Sequence, residues 1–110
     1  MTWKIEYPYK DVEQFVLKLP PGLSARYLHL TDLMITFGSN LGMPHTKAMS
    51  DGLFELRIKS KEGIGRVFYC TLIGKRIVML HGFVKKAQKT PSKELRKAKL
   101  RFSEVLRNDT

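Results

Sequence analysis

With 110 residues and 43% hydrophobic side chains, the chain has apolar material for one core and too much of it for a disordered tail. No run reaches the roughly 18–20 apolar residues of a membrane span, residues 1–6 make a poor secretory signal, and the single cysteine, Cys70, excludes an internal disulfide framework and a cysteine-based zinc site. The net charge of +10 is lopsided, because residues 1–46 hold four basic and four acidic side chains while residues 47–110 hold sixteen and six. The expectation is a small, soluble, cytoplasmic protein, one domain over 1–110, whose second half faces a polyanion such as RNA, DNA or an acidic protein.

Trp3, Ile5 and Tyr7 alternate with polar residues, as in a short strand that Pro8 stops. Val12, Phe15, Val16 and Leu19 recur at the spacing of one helical face, and Pro20-Pro21-Gly22 ends that helix. Leu23, Tyr27, Leu30, Met34 and Phe37 make the stripe of a second helix, which Gly38 stops. Residues 39–52 read mostly as loop, with a possible short strand at Lys47-Ala48-Met49. Three strand runs follow. In the first, Phe54, Leu56 and Ile58 face one way and Glu55, Arg57 and Lys59 the other. Gly63-Ile64-Gly65 reads as a turn before a run over 66–72, and Gly74-Lys75 as a turn before a run over 76–84. Apolar residues on both parities at Ile77, Val78, Met79 and Leu80 predict a strand covered on both faces. Thr90 as N-cap and Pro91 as first residue open a last helix with Leu95, Ala98, Phe102 and Val105 on one face. The predicted fold is α+β in the order β-α-α-β-β-β-α, a small curved antiparallel sheet with the helices on one side.

Several chemistries are excluded by spacing. His29, His45 and His81 are scattered, so no metal site is expected, and no cofactor either. Gly63-Ile64-Gly65 lacks the third glycine and the following helix of a dinucleotide fingerprint. Cys70, inside an apolar strand, reads as a buried structural thiol. What remains is cationic. Arg57, Arg66, Lys85 and Lys86 can converge at one end of the sheet and cradle phosphates. The span 85–101 adds a basic surface of eight cations and one acid, Glu94, next to a helix start at Thr90. The plainer reading of the same residues is a solvated basic surface.

The strings LFELR (53–57), GRVFY (65–69) and LHGFVKKAQKTP (80–91), in that order, resemble the RelE/ParE toxin superfamily, and within it the phage-derived HigB-like branch. The likeness runs over nearly the whole chain. It implies the RelE-like fold and a toxin of a bacterial type II toxin–antitoxin pair. The activity implied is metal-independent endoribonuclease cleavage of messenger RNA on the ribosome. The alternatives it leaves open are a ParE-like gyrase poison and a non-enzymatic basic nucleic-acid-binding prophage protein. The resemblance carries phosphate-binding and transition-state roles to Arg57, Arg66 and Lys85, with Lys86 adjacent and Lys47 a weaker match; His81 is a further catalytic candidate, and Lys89, Thr90, Lys93 and Arg96 of the basic span are candidates for RNA binding. Thr90-Pro91 stands where the nucleases often carry tyrosine or histidine, so the proton acceptor is open among His81, Tyr69, Lys47 and Lys85. The implied partners are a cognate helix-turn-helix antitoxin, mRNA and the ribosome, with operator DNA reached only through the antitoxin and no membrane.

Overall fold

A computed structural model describes residues 2–85 and 91–109. The order is β1 (Lys4–Glu6), α1 (Lys10–Leu17), α2 (Pro21–Phe37), β2 (Thr46–Ser50), β3 (Leu53–Ser60), β4 (Gly63–Leu72), β5 (Arg76–Lys85) and α3 (Ser92–Asn108). The five strands form one curved sheet in the spatial order β1-β5-β4-β3-β2.

The α+β class holds, and the possible short strand at Lys47-Ala48-Met49 is part of a full strand, β2, antiparallel to β3, which adds one strand to the expected order. Three details are corrected. The sheet is mixed rather than antiparallel, because β1 runs parallel to β5. Gly63-Ile64-Gly65 is the start of β4, and the turn falls at Lys61-Glu62. The helices do not share one side. α1 and α2 cover one face of the sheet, where Leu23, Leu30 and Met34 meet Leu56, Val67, Tyr69 and Met79. α3 covers the other, where Leu95, Ala98, Phe102 and Val105 meet Leu53, Phe68, Cys70 and Leu80. The physical reason is in the strands: with apolar residues on both parities, one helical layer leaves half of them in water.

Local chemistry sets the helix ends. Pro21 is the first residue of α2, where its missing N–H costs nothing, and Gly38 ends it at φ +112°. α3 begins one residue later than expected, at Ser92, with Pro91 as N-cap; Thr90 lies outside the described residues. Asp11 and Glu13 sit in the first turn of α1, where the helix dipole favours anions.

Three polar clasps hold α3 in place. Arg101 grips both Asp11 oxygens at 3.0 and 2.9 Å, donates to Leu80 O at 2.9 Å and stacks 4.2 Å over the Tyr9 ring. Arg76 bridges Glu6 on β1 and Asp109 after α3. His81 Nε2 lies 2.8 Å from Glu94 Oε1 in the first turn of α3. In registering α3 over Leu53, Cys70 and Leu80, these clasps leave the far end of β3, β4 and β5 to other use.

Candidate nucleic-acid interface

One irregularity in β5 builds the site. Phe68 pairs with His81, yet the next residue, Tyr69, pairs with Met79, so Leu80 is an extra residue in β5. Val78 and Leu80 face α3. Strict alternation from there would turn Lys85 to the opposite face. The bulge resets the parity, and His81, Phe83 and Lys85 share the α3 face with Ile64, Arg66 and Phe68. Gly82 correspondingly faces α1, where a Cβ would lie 2.6 Å from the Phe15 ring.

The strand registers then order the charged side chains into rows. Lys47 is opposite Glu55, which is opposite Phe68. Arg57 is opposite Arg66, which is opposite Phe83. Lys59 is opposite Ile64, which is opposite Lys85. Two arginines face each other across neighbouring strands, an arrangement that like-charge repulsion disfavours. The carboxylate that makes it tolerable is Glu55, 2% exposed, whose Oε1 lies 3.3 Å from Arg66 Nε and 3.9 Å from Arg57 Nε.

The two arginines are incompletely satisfied. Arg66 is 2% exposed, and its Nε, although within ion-pair distance of Glu55, has no aligned hydrogen-bond acceptor among the described residues. Burial depresses the Arg66 pKa, opposed by Glu55 and reinforced by Arg57. Arg57 Nη1 lies 3.8 Å from the Met43 thioether. By contrast, Arg76 and Arg101 are held by well-placed carboxylates. Lys85 is buried, and its pKa is lowered by burial and then by Arg66, Arg57 and Lys47, against a raising effect of Glu55.

A cleft of about 440 Å³ opens over this end of the sheet. Arg57, Lys59, Ile64 and Arg66 form its sheet wall; Arg26 of α2 and the Pro44-His45 loop form the rim. The Arg57 backbone N–H donates to His45 O at 2.8 Å, which fixes the loop against β3. Among the described residues no acidic side chain lines the cleft. Such a surface binds phosphates by charge and by the planar guanidinium fork.

Of the residues expected to act, the structure brings together Arg57, Arg66, Lys85 and Lys47. His81 stands apart, two strands from Glu55 across Phe68, flanked by the Phe68 and Phe83 rings and bonded to Glu94. Tyr69 lies on the opposite face, its hydroxyl donating to Ser39 O, with a pKa pushed up by burial. Lys93 and Arg96 are exposed on α3. Lys86, Lys89 and Thr90 lie outside the described residues. Sequence reasoning missed Glu55, Arg26 and His45. For Glu55 a signal existed: it shares a strand face with Arg57. Nothing in the spacing links Arg26 or His45 to β3. Cys70 is a buried thiol whose pKa burial pushes up to about 11, so it is no nucleophile at neutral pH. Among the described residues no group of three His, Cys, Asp or Glu side chains could hold a metal ion, and no helix is long and apolar enough to cross a membrane.

Comparison with known proteins places this geometry in a family. The family described as phage derived protein Gp49-like (DUF891) matches residues 14–103, and the chain belongs to it. No curated protein matches the sequence.

Proposed function

We propose that this Gp49-like protein is the toxin of a type II toxin–antitoxin pair and that it cleaves messenger RNA during translation. The observation that carries the reading is the facing pair Arg57 and Arg66, backed by Lys85 and Lys47, in the wall of a cleft that no acidic side chain lines among the described residues. Membership of a phage-derived family and the resemblance to RelE-like toxins support it.

RNA carries its own nucleophile, the 2′-hydroxyl, so the protein needs no nucleophilic side chain. Its tasks are to hold the phosphate in line and to stabilise the charge that accumulates as the 2′-oxygen attacks. Arg57, partly exposed, offers its fork to the non-bridging oxygens, and Arg66, buried behind it in the cleft wall, adds its positive charge. Glu55 keeps both guanidinium groups from splaying. Lys85, with its lowered pKa, is a better proton donor to the departing 5′-oxygen than an ordinary lysine. The 2′–O–P bond forms as the P–O5′ bond breaks, which leaves a 2′,3′-cyclic phosphate and a 5′-hydroxyl. Lysine and arginine are poor bases at neutral pH, so the reading includes a translating ribosome that orients the message, with solvent water taking the 2′ proton while Lys85 supplies one to the 5′-oxygen. Lys93 and Arg96, exposed on α3, would contact RNA; Lys86, Lys89 and Thr90, which lie outside the described residues, are the further RNA-binding candidates of this reading. Such a field on a free domain binds RNA indiscriminately; a cognate antitoxin that covers the cleft with acidic side chains would silence it.

The test is induction in growing cells. Wild type should arrest growth with loss of translated messages, and Arg57→Ala should do neither while accumulating as folded protein. Full toxicity of a folded Arg57→Ala would remove this assignment.

A further inference from the structure

The cleft holds more positive charge than one phosphodiester can use. Four cations line it, Arg26, Arg57, Lys59 and Arg66, and Lys47 and Lys85 stand beside it on the sheet; among the described residues Glu55 is the carboxylate paired with Arg57 and Arg66. One phosphodiester brings one negative charge. The cations also fall into two groups by the elements that carry them. The inner group, Arg57, Arg66 and Lys85, surrounds Glu55 on the α3 face. The outer group, Arg26 and Lys59, sits at the cleft wall and rim with His45.

The outer group has its own geometry. Arg26 Nη2 lies 3.4 Å from His45 Nδ1. A guanidinium has only donors, so Nδ1 is the acceptor and the proton of the neutral ring is on Nε2. Arg26 and His45 are both half-buried, and the His45 carbonyl is anchored by the Arg57 N–H. The rim therefore presents two further classes of donor, a guanidinium from α2 and a ring N–H from the loop, beside the inner pair.

We infer that Arg26, His45 and Lys59 form a second phosphate subsite, which takes the phosphodiester next to the one held by Arg57 and Arg66, so that the cleft binds single-stranded RNA as a segment of at least two consecutive phosphates. This rests on the RNA reading above. It assigns Arg26 and His45 to binding rather than to bond breaking. An isolated phosphate or a single nucleotide is then a poor ligand, and the specificity is for a strand.

Affinities of 2′-deoxy oligothymidylates with one, two and three phosphodiesters test this without cleavage, because these strands lack the nucleophile. They are measured over a range of salt concentrations for wild type, Arg26→Gln and His45→Ala. Wild type should gain on the order of tenfold in affinity when the second phosphodiester is added. Both variants should keep wild-type affinity for the one-phosphodiester ligand and lose that gain, and Arg26→Gln should reduce the salt slope by about 1. His45→Ala leaves the backbone anchor in place, so it reports on the subsite independently of Arg26. Absence of the gain in wild type, or equal losses at every length in the variants, overturns the subsite. An oligoaspartate of equal charge that binds as tightly, with the same losses, overturns it in favour of an acidic protein segment. A parallel assay of message cleavage on ribosomes separates the two readings. A length-dependent gain without cleavage keeps the subsite and removes the nuclease, and cleavage without the gain does the reverse.

Discussion

Lys85 reaches the same face as Arg66 because β5 carries Leu80 as an extra residue. Without that bulge the ammonium would turn toward α1, and the cationic cluster would be split between the two faces of the sheet. Bulges beside sites re-aim side chains in this way. Here the effect is to collect charges from β3, β4 and β5 around one carboxylate, Glu55.

The two arginines should respond differently to truncation. Arg57 retains 24% of its side-chain exposure and makes only weak contacts. Arg57→Ala should change stability by less than about 1 kcal/mol and lower cleavage by about 10²–10³-fold. Arg66→Ala removes the buried guanidinium 3.3 Å from the Glu55 carboxylate and should cost about 3–5 kcal/mol in stability. Urea denaturation of both variants, with activity measured on the folded fraction, checks the split.

Lys85 makes stability depend on pH at the alkaline end. Its folded pKa is lower than that of a free lysine, so the unfolded chain binds more protons between the two values. Stability should therefore rise with pH through that window and level off above the ordinary lysine value of about 10.4. Lys85→Met should remove the slope and raise stability near pH 7 by on the order of 1 kcal/mol, while weakening anion binding. Melting temperatures between neutral and strongly alkaline pH, for both proteins, give the comparison.

At the acid end the sign is reversed. Hydrogen bonds from Arg76 lower the Glu6 pKa and those from Arg101 lower the Asp11 pKa. Stability from these carboxylates is fully present above their unfolded values and is lost as pH falls through the lowered folded values. Glu6→Gln and Asp11→Asn should each flatten acid denaturation below about pH 4. The effect is small because the partners are partly exposed, and it should shrink further in high salt.

Packing of α1 depends on the absence of a side chain at Gly82. A Cβ there would lie 2.6–2.7 Å from the Phe15 ring. Gly82→Ala should cost about 1–3 kcal/mol, and a smaller residue in Phe15→Leu should recover part of the loss. A double-mutant cycle by chemical denaturation measures the coupling.

The sequence made much of this legible, and its failures have physical causes. The stripe of Leu95, Ala98, Phe102 and Val105 is the buried face of α3, as its spacing requires. The two-sided apolar pattern at Ile77, Val78, Met79 and Leu80 correctly required cover on both faces. Placing all three helices on one side contradicted that same pattern. The direction of β1 was invisible, because three residues carry no signal of parallel or antiparallel pairing. Convergence of Arg57, Arg66 and Lys85 was anticipated from strand ends alone, although the bulge that aims Lys85 leaves no mark in a strand of apolar residues. Alternation puts Glu55 on the polar face of its strand but is silent on its burial, which depends on cations from other strands. Arg26 and His45 meet only through the packing of α2 and a loop against β3.

The most direct measurement maps the ends of messages cut by the purified protein on translating ribosomes. The account predicts new ends within translated sequence, 2′,3′-cyclic phosphate and 5′-hydroxyl termini, and none of these with Arg57→Ala. Intact messages alongside impaired DNA supercoiling, or cleavage that Arg57→Ala leaves unchanged, would contradict it.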